Sequence, residues 1–179
     1  MTKHILVAGI GNIFMGDDAF GVETVRELMR LPIPAQVQVV DFGIRSYDLA
    51  YAMMDGYDFV ILVDAISRGN EAGTVYLIEP ELEELTRFRR EEMDAHSLNP
   101  VGVLQMVKAL GGKPGRLYLV GCEPAVLEAE DGNMALSEKV RAAVPKAVEM
   151  IQSLCNELLQ ETKNPGLKAG LDTGVQSYA

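Results

Sequence analysis

HILVAGIGNIFMGDDAFG, His4 to Gly21, decides the fold of this chain of 179 residues. Ile5 to Ala8 is a short, continuous apolar run ending in glycine, the pattern of a strand buried on both faces and hence of a parallel sheet. The glycine turn that follows delivers two carboxylates, Asp17 and Asp18, where a phosphate-binding loop would leave a helix N-terminus open. A dinucleotide fingerprint needs three glycines, the last for close packing of helix on strand. Gly9 and Gly11 fit, but Phe14 stands in the third position. Two acids at the start of the next helix would also occupy its positive dipole end and oppose a phosphate. The loop argues against nucleotide binding.

Working outward, Phe20, Val22, Val25, Leu28 and Met29 recur near helical spacing between Ala19 and Arg30, and Pro32 and Pro34 close that helix. Val37 to Val40 reads as a second strand ending in Asp41, followed by a helix from Tyr47 to Met54. Phe59 to Val63 reads as a third strand ending in Asp64. Thr74 to Ile78 is β-rich and its direction is open. Residues 79–94 are charged and read as a solvated loop with some helical turns. Asn99 and Pro100 mark a helix start, an N-cap followed by proline in the first turn, and that helix runs to Leu110 before Gly111 and Gly112. Leu117 to Val120 is expected to be the last strand. Ala135 to Leu159 is expected to be a long helix with Pro145 as a possible kink. Residues 1–160 read as one domain and 161–179 as a flexible C-terminal tail. Alternating strands and helices over this length predict an α/β fold, a doubly wound and mostly parallel twisted sheet between helix layers.

A content of 48% hydrophobic residues suffices for one sizeable core. The net charge of −10 disfavours nucleic acid and anionic membranes as partners. No apolar run approaches the roughly 20 residues that span a bilayer, and no signal-peptide pattern precedes the first strand. The expectation is a cytoplasmic protein without membrane insertion. Cys122 and Cys155 lack paired metal spacing and suit reduced thiols, neither of them a nucleophile.

Ligands of doubly wound sheets lie beyond the carboxyl ends of the strands. Asp18 follows the first strand, Asp41 ends the second, Asp64 ends the third, and His96 lies in a polar loop before a later helix. His4 stands at the opposite edge. Each residue also has an ordinary reading: Asp17 and Asp18 can interact with the first turn of a helix, and Asp64 can form a turn. Asp41 reads as an orienting or hydrogen-bonding group rather than a ligand. Taken together, Asp18, Asp64 and His96 offer two carboxylates and an imidazole, a set that suits a borderline divalent metal and leaves coordination positions open. Zinc, nickel, manganese and iron are not separable on ligand type alone. The sequence has no HExxH helix, Cys-x-x-Cys pair or Gly-x-Ser-x-Gly elbow. Water oriented by a metal and a carboxylate is the simplest hydrolytic route left.

The motifs GIGNIFMGDDAFGV (Gly9 to Val22), VVDFGIRSYDL (Val39 to Leu49), VILVDAI (Val60 to Ile66), DAHSLNPVGVL (Asp94 to Leu104) and GCEP (Gly121 to Pro124) follow one another in an order and spacing that resembles the nickel–iron hydrogenase maturation endopeptidases. The resemblance covers about residues 4 to 155. It implies a three-layer αβα sandwich of phosphorylase/hydrolase-like type and cleavage of a C-terminal extension from a hydrogenase large-subunit precursor. It also implies metal binding by Asp18, Asp64 and His96, with catalytic parts for Asp18 and Asp64 and a supporting one for Asp41. Some relatives carry Glu where Asp18 stands, so the reach here is shorter. The metal expected is nickel supplied by the precursor, with zinc or another divalent ion as a surrogate. Two other readings share these residues: a nickel-sensing module without catalysis, and a general metal-dependent hydrolase.

Overall fold

The computed structural model describes residues 2–80, 100–125, 134–161 and 176–178, the last three as backbone. In chain order these form β1 (Ile5–Ile10), a 3-10 turn (Gly16–Ala19), α1 (Phe20–Leu28), β2 (Val37–Gly43), α2 (Ser46–Met53), β3 (Phe59–Ala65), β4 (Val75–Ile78), α3 (Pro100–Ala109), β5 (Arg116–Cys122), α4 (Glu138–Gln160) and β6 (Gln176–Tyr178). The strands lie in one sheet in the order β2-β1-β3-β5-β4-β6. β2, β1, β3 and β5 are mutually parallel. β4 runs antiparallel to β5, and β6 antiparallel to β4.

The strand period of two divides the apolar residues between two cores. Ile5 and Val7 of β1 point with Ile61 and Val63 of β3 toward Phe20 and Val25 of α1 and Ile151 and Leu158 of α4. Leu6, Ala8 and Ile10 point the other way, with Val60 and Leu62, onto Leu49 and Met53 of α2 and Val103 and Val107 of α3. The sheet is therefore sandwiched, with α1 and α4 on one face and α2 and α3 on the other. This is the expected three-layer α/β fold. β1 and β3, central strands, are buried throughout except at Ala65. β2 is an edge strand and partly exposed.

Some boundaries differ from the sequence reading. Parallel pairing with β5 continues through Asp64 and Ala65, so Asp64 sits inside β3 rather than after it. α4 passes through Pro145 as one helix. β5 is not the last strand, because Gln176–Tyr178, in the stretch read as a tail, pairs with β4. The charged stretch from 81 and the expected cap Asn99 lie outside the described residues.

β1 connects through α1 to β2 on one side, while β3 lies on its other side. The strand order therefore reverses at β1, and in open α/β sheets a crevice forms at the carboxyl edge at such a point.

Candidate functional site

The turn that carries Asp18 folds back over the end of β1 because Gly11 permits it. Gly11 has φ of 134°, and a Cβ there would lie 1.8 Å from the Asp18 carbonyl oxygen. The loop is pinned by the Gly11 N–H donating to Gly43 O at 3.0 Å and by the Asn12 N–H donating to Asp18 Oδ2 at 2.6 Å. A second glycine, Gly21, sets the depth. A Cβ there would lie 2.0 Å from Val63 O and 2.3 Å from Ile10 O, so the start of α1 rests directly on the backbone of β1 and β3. Gly21 thus performs the close helix–strand packing that Phe14, exposed on the loop, does not. The glycine in this role comes later than a dinucleotide motif would place it.

This packing brings Asp18 beside Asp64, a residue only 7% exposed. Burial holds the half-buried Asp18 carboxyl above its usual range, against the pull of the Asn12 N–H. Asp64 is held well above its usual range, first by burial and then by the charge of Asp18, with the Ala65 N–H at 2.8 Å offsetting part of this. None of the ion pairs among the described residues involves either carboxylate. Two desolvated acids in mutual repulsion are a site that gains from a cation or a shared proton.

Asp41 lies across from Gly9 on β2, at the same edge of the sheet. Its carboxylate accepts from Arg26, with Oδ2 3.1 Å from Nε and 3.0 Å from Nη2, and its carbonyl accepts from Arg45. The arginine of α1 therefore holds this acid. His96 lies outside the described residues. Among those described, no group of three or more His, Cys, Asp or Glu side chains is arranged to hold a metal ion. His4 precedes β1 at the amino edge, its N–H donating to Asp58.

Two further acids are tied into this edge, and sequence reasoning gave neither a part in the chemistry. Asp17 is fully buried and accepts hydrogen bonds from the Ala125 N–H (2.8 Å), the Ser137 N–H (2.7 Å) and the Ser137 hydroxyl (2.9 Å). Glu123, of the GCEP motif, accepts from the N–H groups of Arg68 and Gly69, from the Ser67 hydroxyl and, at 2.6 Å, from the Tyr76 hydroxyl. A signal for Asp17 did exist: of two adjacent acids on one tight turn, only one can face the crevice. For Glu123 the sequence offers none beyond the motif. Burial alone would raise the Glu123 carboxyl, yet the bonds from Tyr76, Arg68, Gly69 and Asn70 outweigh it and hold the group below its usual range.

A folded-state value below the unfolded one means that Glu123 adds stability above the unfolded carboxyl pKa of roughly 4.3, and that this is lost as pH falls through the folded value. Wild type should therefore lose thermal stability on acidification below about pH 4.5 more steeply than Glu123→Gln. Parallel melting curves down to pH 3 would contradict this. Both cysteines are free and buried. Burial, and then the charges of Asp17 and Glu123, push the Cys122 thiol up to about 12. Burial pushes Cys155 up to about 12 as well. Neither is a thiolate nucleophile at neutral pH.

The three-layer α/β fold sets an acid-bearing glycine turn at the switch point of its sheet, where ligands of open α/β sheets bind. The chain belongs to the hydrogenase maturation protease family, whose profile matches residues 22–154. It is 33% identical over 156 residues to the hydrogenase 2 maturation protease of Escherichia coli K12, spanning 86% of this chain and 92% of that one. It is 34% identical to the hydrogenase expression/formation protein HupD of Rhizobium leguminosarum bv. viciae, over 83% of this chain and 72% of that one. Among solved structures it is similar to the E. coli hydrogenase maturating endopeptidase HybD, with a TM-score of 0.73, 29% identity and coverage of 98% and 96%. HybD of Thermococcus kodakarensis gives a TM-score of 0.67 at 26% identity, covering 85% and 99%. The chain is thus a protease of hydrogenase maturation. Among the described residues no helix is long and apolar enough to cross a membrane.

Proposed function

We propose that this protease removes the C-terminal extension of a nickel–iron hydrogenase large-subunit precursor after that precursor has received its nickel. The observation that carries the reading is the pairing of Asp18 with Asp64, two carboxylates brought together at the switch point of the sheet, their burial and repulsion offset only in part by the Asn12 and Ala65 N–H groups. Such a pair favours an incoming divalent cation, and the precursor's nickel is the cation that its substrate would bring. Asp18 and Asp64 supply carboxylate oxygens and His96 an imidazole, a donor set suited to a borderline metal with positions left for the precursor's own ligands. Nickel here is part of the substrate, and its arrival reports that the precursor is ready.

Anchoring by the metal places the scissile peptide against the acid pair. One carboxylate takes a proton from water as the oxygen attacks the peptide carbonyl carbon, and that proton then passes to the departing amide nitrogen as the C–N bond breaks. Asp41, already neutralised by Arg26, fits an orienting part better than that of a ligand. An aspartic-type, nickel-gated endopeptidase is the class this chemistry defines.

A cell lacking this chain should accumulate the large subunit at precursor length, and returning the wild-type gene should restore the mature length. Mature subunit in the deletion strain would overturn the assignment.

A further inference from the structure

The segment Glu123–Pro124–Ala125 is held from both sides, by the loop that follows β3 and Asp64 and by the turn that carries Asp18. On one side Glu123 collects the Ser67–Gly69 backbone and hydroxyl, just beyond Asp64, and the Tyr76 hydroxyl from β4. Backbone bonds reinforce this grip: Ile66 N–H to Cys122 O at 2.9 Å, Gly73 N–H to Glu123 O at 2.8 Å and Glu123 N–H to Thr74 O at 2.9 Å. On the other side the Ala125 N–H is taken by Asp17, the residue next to Asp18, which also secures the start of α4 through Ser137. These contacts join positions 47 to 120 residues apart in sequence. Charged acceptors of several N–H and O–H donors are among the stronger hydrogen-bonding arrangements. Both carboxylates are almost wholly enclosed, Asp17 at 0% and Glu123 at 3% exposure.

We propose, resting on the assignment of Asp18 and Asp64 as the reacting acids, that Asp17 and Glu123 are positioning residues that fix the separation of those two carboxylates through the Glu123–Ala125 bridge. Neither side chain touches substrate. Asp17 turns its neighbour outward by committing its own oxygens inward, and Glu123 fixes the loop onto which β3 opens after Asp64. With both anchors in place the acid pair is set before substrate arrives, so its mutual repulsion cannot relax by drift of the Asp18 turn or of the end of β3. Preorganisation of this kind raises the rate at saturating substrate more than it tightens binding.

The test uses the full chain, nickel-loaded precursor and, separately, Ni²⁺ alone. Asp17→Asn and Glu123→Gln should each lower kcat about 10- to 100-fold, with KM and the Kd for Ni²⁺ both raised by a smaller factor, up to about 10-fold. The double variant should lose much less than the product of the two single losses, since both act through one bridge. Tyr76→Phe and Ser137→Ala each delete one hydroxyl donor to the bridge acids, and they keep the test open if the acid variants do not fold. Each should lower kcat and Ni²⁺ affinity together by about threefold. Variants that melt earlier yet keep wild-type kcat and Ni²⁺ affinity while folded would show a structural part only and overturn the proposal. If wild type fails to cleave the nickel-loaded precursor, the assigned reaction falls, while the Ni²⁺ affinities still decide whether the bridge positions the acid pair.

Discussion

Replacing Asp64 with asparagine is expected to abolish precursor processing and, in the same molecule, to stabilise the nickel-free fold. Loss of a carboxylate that handles the proton in the bond-breaking step costs about 10²- to 10⁴-fold in rate, and loss of a donor to the substrate metal adds to it. Asp64 is buried, lies beside Asp18 and is held well above the usual carboxylate range. A folded-state value above the unfolded one of about 3.9 means that the native state binds protons more readily. Wild type should then lose stability as pH rises from about 4 through the folded value, and the penalty persists above it. Asn has no such charge. The variant should therefore melt above wild type at pH 7, with the difference vanishing near pH 4. Asp18→Asn should show the same loss of processing with a smaller gain in stability, because Asp18 is only half-buried and keeps the Asn12 N–H. An Asp64→Asn protein that processes at the wild-type rate would remove Asp64 from the chemistry. One that melts below wild type at every pH would show that its carboxylate makes a stabilising bond.

Gly21→Ala should be strongly damaging although it adds only a single methyl group. Its Cβ would fall 2.0 Å from Val63 O and 2.3 Å from Ile10 O, both backbone atoms of central strands that cannot turn aside. Helix α1 would have to lift from the sheet. Overpacking of this kind costs about 1–3 kcal/mol and sometimes more, a fall in Tm of roughly 2–4 °C per kcal/mol for a chain of this size. Lifting α1 also moves the turn that carries Asp18, so activity should fall further than the folded fraction does. Gly102→Ala is the control. Gly102 lies in α3, and a Cβ there would meet nothing within 4 Å. Ala at this site should stabilise by about 0.5–1 kcal/mol through helix propensity alone and leave processing unchanged. Equal melting temperatures for the two variants would contradict the close packing at Gly21.

The layers were legible in the sequence because they rest on local signals. Ile5 to Ala8 and Phe59 to Val63 are apolar on both faces, and only a strand between two helix layers needs that. The placement of Asp18, Asp41 and Asp64 at one sheet edge followed from the same reading, since a parallel sheet puts all its strand ends on one side. The direction of β4 was not legible, because Val75 to Ile78 pairs with Leu119 to Cys122 more than 40 residues later and either orientation would satisfy its side chains. The part played by Gly21 depends on how deeply a helix settles on two strand backbones, which no local pattern encodes. Asp17 and Glu123 read as an ordinary capping acid and part of a motif, since their partners are set by tertiary closure. The ligand part of His96 remains an expectation of the resemblance, as that residue lies outside those described.

Intact-mass measurement of the cognate large-subunit precursor, incubated with this chain in nickel-loaded and nickel-free forms side by side, bears most directly on nickel-gated cleavage. Loss of a C-terminal peptide from the nickel-loaded form alone is the expected result. Equal cleavage of both forms would contradict gating by nickel, and association with a verified nickel-loaded precursor without any loss of mass would contradict cleavage itself.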